Sequence, residues 1–222
     1  METHAVKIKS IGKATHDVLR IVVTRPPDYA FTPGQATEIA INKKDWIEER
    51  RPFTFTSLPD NDYLEFTIKT YPVRKSVTNE LLQLKMNDEL ILHDVFGAIT
   101  YKTEGVFIAG GAGVTPFISI FRDLQAKKKI GNNILLFANK TKADIINETE
   151  FKSILGSAFV NILSDEKVEG YSHGMISEAF LKSNVKNFNQ QFYVCGPPPM
   201  MDAVLGQLSK LGVGENALTV EI

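Results

Sequence analysis

Cysteine is almost missing from this sequence: Cys195 is the single one in 222 residues. That count excludes an internal disulfide and a cysteine-ligated iron–sulfur cluster, which needs several thiolates. Neither charge dominates, with 25 lysines and arginines against 26 aspartates and glutamates. The chain therefore has no electrostatic footprint for nucleic acid or for an anionic membrane. No apolar run approaches the ~20 residues that a spanning helix needs. The opening stretch Met1-Glu2-Thr3-His4-Ala5-Val6-Lys7 lacks the charged-then-apolar layout of a secretory signal, and a cytoplasmic protein is expected. His4, His16, His93 and His173 have no metal-type spacing, so no metal is expected. Internal repeats and low-complexity tracts are also missing.

What remains has two textures. Through residue 101 the chain is strand-like, with short β-branched runs separated by turns. Strands are expected at 6–9, 19–23, 36–41, 53–56, 64–69 and 89–93, with one helix at 77–84. Six antiparallel strands and a short helix predict a small β-barrel. From residue 102 strands and helices alternate: strands at 106–109, 134–137, 159–163, 192–195 and 217–221, helices at 115–129, 148–155, 176–181 and 200–211. That alternation predicts an α/β domain with a parallel sheet, whose ligands bind at the carboxyl ends of the strands. Two domains are expected, 1–101 and 102–222.

Three segments carry chemistry. Arg51-Pro52-Phe53-Thr54 offers a cation, an aromatic face and a hydroxyl, a set that suits a flavin with a pyrophosphate tail. Arg51 opens an apolar strand, where its rigid fork suits a phosphate; ordinary barrel alternation explains the phenylalanines but not this arginine. Gly110-Gly111-Ala112-Gly113-Val114-Thr115-Pro116 turns from a buried strand into a helix, whose first N–H groups and dipole suit a dinucleotide phosphate. It does not meet the Gly-x-Gly-x-x-Gly fingerprint, and a plain tight turn explains it equally well. Cys195-Gly196-Pro197-Pro198-Pro199-Met200 closes a strand at the same edge. A lone buried cysteine is ordinary packing; its place across the sheet from the glycine turn raises the functional reading.

Taken together, these segments resemble the ferredoxin–NADP reductase family over essentially the whole chain. Phe31-Thr32-Pro33-Gly34-Gln35 is similar to the family's turn before a core strand, and Ser76-Val77-Thr78-Asn79-Glu80-Leu81 to its helix start beneath the flavin pyrophosphate. The resemblance implies a flavin barrel joined to a nicotinamide-binding α/β domain. Under it Arg51 binds the flavin phosphates, Phe53 stacks on the isoalloxazine beside Pro52, and Thr54 contacts flavin N5. Lys69, Tyr71 and Val77 follow the flavin tail, and Thr78 hydrogen-bonds its phosphates. Gly110, Gly111, Gly113, Val114, Thr115 and Pro116 form the nucleotide turn; Thr115, Cys195 and Gly196 line the nicotinamide pocket, and Pro197 and Met200 shape it. Glu221 resembles a near-terminal glutamate in the hydrogen-bond network around N5. Thr54, Cys195 and Glu221 are thus the implied catalytic residues. Ser76 departs from the family, which commonly has glycine there, and the loop 71–75 is short.

The implied cofactors are FAD, with FMN as the alternative, and NADH or NADPH as hydride donor. Leu136-Phe137-Ala138-Asn139-Lys140-Thr141 resembles NADH-dependent cytochrome reductases of the family. Ser164-Asp165 stands where NADPH-dependent members tend to place Ser-Arg, and an aspartate there accepts from a ribose hydroxyl and repels a phosphate. Lys140, Lys142 and Lys167 weigh the other way; NADH is favoured. The expected activity is hydride transfer from NAD(P)H to bound flavin across about 3–3.5 Å, with electrons passing to a separate acceptor, a small redox protein, a cytochrome or a small molecule. The alternatives are an NAD(P)H:flavin reductase that releases its flavin and a non-catalytic flavin-binding subunit.

Overall fold

The computed structural model describes residues 3–71, 76–97 and 99–220. The chain divides into two compact units: residues 1–100 with 115–123, and residues 101–114 with 124–222. Among the described residues no helix is long and apolar enough to cross a membrane.

The first unit holds strands β1 (His4–Lys13), β2 (Val18–Thr24), β3 (Ala36–Ile41), β4 (Arg51–Thr54), β5 (Tyr63–Lys69) and β6 (Glu89–Phe96), with the short helix α1 (Val77–Glu80). The spatial order is β4-β3-β6-β1-β2-β5, and every pairing is antiparallel. A bridge between Phe55 and Phe66 joins the two end strands, and Thr56 N–H donates to the Glu65 carbonyl at 2.8 Å. These two links draw the ends of the sheet together at Phe55 and Thr56. The interior is filled by Ile21, Val23, Ile39, Phe55, Leu64 and Phe66; along β5 the core residues Leu64, Phe66 and Ile68 alternate with Glu65 and Thr67. The expected helix at 77–84 is split into α1 and a 3₁₀ turn at Leu81–Gln83.

Helix α2 (Thr115–Ala126) follows the glycine turn, and its residues 115–123 group with the barrel. Gly34 N–H donates to the buried Ser119 hydroxyl at 3.0 Å. Gly34 has φ +96°, and a Cβ there would meet the Ile99 carbonyl oxygen at 2.1 Å and Ile120 Cδ1 at 3.1 Å. The Thr32-Pro33-Gly34 turn needs glycine both for its backbone angle and for this close approach.

The second unit contains β7 (Gly105–Gly110), β8 (Ile134–Asn139), β9 (Phe159–Leu163), β10 (Ser172–His173), β11 (Gln191–Cys195) and β12 (Leu218–Val220), with helices α3 (Glu148–Leu155), α4 (Glu178–Asn184) and α5 (Pro198–Lys210). The sheet is parallel throughout and ordered β10-β9-β8-β7-β11-β12. Val106, Ile108, Leu136, Phe192 and Val194 pack with Leu181, Val204 and Leu208 of α4 and α5. The prolines at 198 and 199 fall in the first turn of α5, where no backbone N–H is needed. Ser177 accepts from Phe180 N–H and so sets the start of α4 two residues past the expected 176. Tyr193 fixes the entry to β7: its hydroxyl accepts from Lys102 N–H at 2.9 Å and Thr103 N–H at 3.0 Å and donates to the Thr103 carbonyl at 2.7 Å.

One side chain of β6 is out of keeping with its surroundings. His93 is 4% exposed, and among the described residues neither ring nitrogen has a hydrogen-bond partner. Burial pushes its pKa below 6.5 and the Arg50 charge adds to this, against Glu38, Asp94 and Glu48. The folded chain therefore binds this proton less readily than the unfolded chain. The stability involved is intact above the unfolded value near 6.5 and falls as the pH drops below it toward the folded pKa. His93→Phe is expected to flatten the fall in denaturation midpoint between about pH 6.5 and 5. An unchanged slope would assign the acid sensitivity to other groups.

Candidate functional site

In the barrel, strand β4 presents Arg51 and Pro52 exposed, Phe53 half-buried against the core and Thr54 buried. The Arg51 side chain is 49% exposed. Among the described residues it bonds along its own loop, donating to the Arg50 carbonyl at 2.6 Å and to Glu49 at 3.4 Å. A charged fork held by neighbours in sequence at a strand start can turn to an incoming phosphate at little cost. Lys69 lies at the end of β5, and its ammonium pairs with Asp17 at 2.6 Å. Tyr71 is 41% exposed. Val77 is fully buried under the barrel, and Ser76 and Thr78 bond to each other through their hydroxyls at 2.9 Å. Glu221 lies outside the described residues.

Behind β4 runs a polar network that the linear pattern does not display. Glu65 is 1% exposed. Its carboxylate accepts from Arg122 at 2.6 Å and from the Thr56 hydroxyl at 2.9 Å through one oxygen, and from Arg20 at 2.8 and 2.5 Å through the other. Arg122, on α2, also donates to the Thr56 carbonyl at 2.5 Å. Burial alone would raise the Glu65 pKa; the Arg122 and Arg20 charges outweigh it and hold the carboxyl below the usual range.

In the second unit the strand order places β8 on one side of β7 and β11 on the other. A chain that leaves β7 in both directions has its switch point there, and a crevice at the carboxyl ends is the ligand position for such sheets. The register lines up Gly110 with Ala138, Asn139 with Leu163, and Cys195 with Ala109. One sheet edge thus gathers Gly110, Asn139, Ser164 and Cys195, with Asp165 and Gly196 one residue further along the chain.

The glycines of that edge have different physical reasons. A Cβ on Gly110 would lie 2.2 Å from Met200 Sδ and 3.1 Å from Pro197 Cδ. On Gly113 it would lie 2.3 Å from the Cys195 carbonyl oxygen and 2.6 Å from Gly196 Cα. Gly113 lets the β7 and β11 turns meet backbone against backbone, while Gly110 leaves room for the Met200 and Pro197 side chains. Gly111, with φ +51°, has nothing within 4 Å of a Cβ, so it is the glycine that faces open space. Val114 and Pro116 are buried, and Thr115 is half-buried at the start of α2. Cys195 is 1% exposed.

The donors present fit a nicotinamide dinucleotide. Asn139 is 8% exposed, yet among the described residues neither its amide nitrogen nor its amide oxygen has a partner. A buried carboxamide with both ends unmet is costly, and Asn139 stands at the carboxyl end of β8, the end at which such sheets take ligands. At the end of β9 the Ser164 hydroxyl bonds to Asp165 at 2.5 Å, and the exposed Asp165 carboxylate is joined by Glu166, which accepts from Lys142 N–H at 2.8 Å. The fit for a flavin rests on the exposed Arg51 fork opening β4 beside the half-buried Phe53 ring.

Sequence reasoning misses Glu65, Arg122, Glu166 and the role of Met200 over Gly110. A glutamate inside the apolar run Leu64-Glu65-Phe66 is the one signal that could have marked the buried network.

The family described as "FAD-binding domain" matches residues 3–131, more than half of the chain, and "Oxidoreductase NAD-binding domain" matches residues 107–205. The propane 2-monooxygenase reductase component of Mycolicibacterium goodii is 29% identical over 220 residues, covering 91% of this chain and 62% of that protein. NADH-cytochrome b5 reductase 2 of Candida glabrata is 28% identical over 222 residues, covering 91% of this chain and 74% of that protein. A ferredoxin NADP+ reductase from Neisseria gonorrhoeae with bound FAD and NADP matches with a TM-score of 0.86 at 17% identity, over 100% of this chain and 98% of that one. At that identity the likeness is one of fold. The chain spans about three-fifths of the length of the propane 2-monooxygenase reductase components it matches.

Proposed function

This chain belongs to the ferredoxin–NADP reductase family of FAD-binding oxidoreductases, and on that premise we propose that it oxidises NADH through a bound FAD and passes the electrons to a separate acceptor. The observation that carries the proposal is the pairing, in one chain, of a barrel whose β4 opens on an exposed Arg51 and a parallel sheet whose switch-point edge holds the unmet Asn139 amide. When bound, FAD would supply the redox chemistry, a two-electron exchange with a nicotinamide and one- or two-electron exchange with an acceptor. The chain supplies binding and orientation. Residues 1–101 are proposed as the flavin domain and 102–222 as the nucleotide domain.

Within that reading Arg51 takes the flavin phosphates, Phe53 with Pro52 packs on the ring system, and Thr54 bonds to it. Lys69, Tyr71, Ser76, Val77 and Thr78 border the flavin tail. Gly111 and Thr115 approach the dinucleotide phosphates, Asn139 meets its polar groups, and Cys195, Gly196, Pro197 and Met200 shape the nicotinamide end. The acidic rim of Asp165 and Glu166 favours a ribose hydroxyl over a phosphate, which supports NADH over NADPH. A cytochrome or an oxygenase component is the proposed acceptor class, by analogy with the relatives' names. A cytoplasmic location is part of the same proposal; a single cysteine suits a reducing compartment.

The test is turnover of protein freed of unbound flavin by gel filtration, with ferricyanide as acceptor. NADH-driven reduction without added flavin is expected, at a higher kcat/KM than with NADPH. Turnover that requires added free flavin would make flavin a substrate and the protein a flavin reductase. Arg51→Ala is expected to weaken flavin binding about tenfold or more, the scale of one charge-assisted phosphate contact; unchanged flavin content in that variant removes Arg51 from the site.

A further inference from the structure

We infer that Arg122, working through Glu65 and the Thr56 carbonyl, is a positioning residue that fixes the start of helix α2 against strand β4. The inference rests on the reading of Thr54 and Thr115 as cofactor contacts, and it concerns what holds those two in register.

The ties lie within the first unit. Helix α2 is bound to the barrel at Ser119, whose hydroxyl accepts from Gly34 N–H at 3.0 Å, and about one turn further on at Arg122. Arg122 divides its fork between a backbone carbonyl and a carboxylate, Thr56 and Glu65. The carbonyl it holds is two residues beyond Thr54. The intervening Phe55 N–H donates to the Gln35 carbonyl at 3.1 Å, and Gln35 N–H donates to the Thr32 carbonyl at 3.0 Å. Gln35 is thus joined to the same Thr32-Pro33-Gly34 turn that Ser119 holds. A closed circuit runs from α2 to the turn, to the end of β4, and back to α2 through Arg122. The helix starts at Thr115, immediately after the glycine turn, so the circuit sets where Thr115 stands relative to Thr54.

Simple packing does not account for the choice of residues. Glu65 already has Arg20 and the Thr56 hydroxyl, enough to compensate its charge. The additional arginine comes from 57 positions away, and its bond to the Thr56 carbonyl reaches the strand end itself. A planar guanidinium with divergent N–H groups bridges two acceptors at fixed angles, which an ammonium does less rigidly. Reaction across a near-attack gap is sensitive to displacements of about 1 Å, so such a bridge has a kinetic consequence beyond its stability.

The experiment compares wild type, Arg122→Met and Arg122→Lys as holoenzymes, well below their melting temperatures. FAD content, the dissociation constant for NAD+, and the rate at which saturating NADH bleaches the bound flavin are measured for each. Amide hydrogen exchange is followed in the flavin-free proteins. In R122M we expect FAD content and NAD+ affinity within about threefold of wild type, but a bleaching rate lower by about tenfold or more. Faster exchange should be confined to Phe55, Thr56 and the first turn of α2, and R122K should recover part of the rate. A bleaching rate in R122M equal to wild type overturns the inference. So does a rate loss matched by equal losses of FAD and NAD+ binding with faster exchange throughout the barrel, which would mark Arg122 as structural only. Ser119→Ala, which removes the other tie, carries the same expectations should R122M fail to fold. Wild-type protein that holds no FAD, or that NADH does not bleach, contradicts the proposed function instead; the exchange pattern then decides the circuit by itself.

Discussion

Gly113→Ala is expected to lower the melting temperature by about 6–12 °C and to weaken dinucleotide binding with it. The added Cβ would lie 2.3 Å from the Cys195 carbonyl oxygen and 2.5 Å from its carbonyl carbon. Both neighbours are backbone atoms at the exit of a central strand, so no side chain can rotate away. Relief requires the β7 turn or the β11 turn to move. Overpacking in a rigid site costs up to about 3 kcal/mol or more, and each kcal/mol shifts the midpoint by about 2–4 °C in a chain of this size. Gly111→Ala is the control: open space surrounds its Cβ, so only the left-handed backbone is penalised, by about 1–2 kcal/mol. Differential scanning calorimetry of both variants decides the matter. A Gly113→Ala midpoint within about 2 °C of wild type would mean that the two turns are not interleaved.

The second large effect is expected at Glu65. Glu65→Ala leaves Arg20, Arg122 and the Thr56 hydroxyl without the carboxylate that all three meet. Breaking a buried ion network by removing one partner costs about 3–5 kcal/mol at neutral pH, while Glu65→Gln, which keeps the shape and an acceptor oxygen, should cost less. The pH dependence has a definite sign. The arginine charges outweigh burial and lower the folded pKa below 4.5, so the folded carboxyl binds its proton less readily than the unfolded one. The stabilisation is present in full above the unfolded value and is lost as the pH falls through the folded one. Denaturant titrations of wild type and Glu65→Ala should therefore differ most near pH 7 and converge in acid. A difference that does not change with pH would place the effect in packing, not charge.

Strands β1 to β6 are legible in the sequence because β-branched residues alternate with polar ones and turn residues bound each run. The parallel sheet is legible from uniformly apolar runs such as Val106-Phe107-Ile108-Ala109, as strands buried on both faces require. Strand β10 is not, because Ser172–His173 is two residues long and polar and exists only by pairing with β9. In the candidate site, Arg51 stands out as a charge that opens an apolar strand, and the edge carrying Gly110 and Cys195 follows from strand–helix alternation. The reasons for the individual glycines do not. Gly110 and Gly113 leave room for Met200 and for the Cys195 backbone, 90 and 82 positions away along the chain. Glu65 and Thr67 alternate with Leu64, Phe66 and Ile68 along β5 yet are buried as well, and Glu65 meets Arg122 of α2, a cover that local pattern cannot reveal.

The central claim is that one chain holds FAD and receives electrons from NADH. It is tested most directly by the visible absorption spectrum of the purified protein before and after one equivalent of NADH is added without oxygen. The account predicts a yellow protein with a flavin band that NADH bleaches and an acceptor restores. A colourless protein that FAD does not reconstitute, or a flavin band that NADH leaves unchanged, would contradict it.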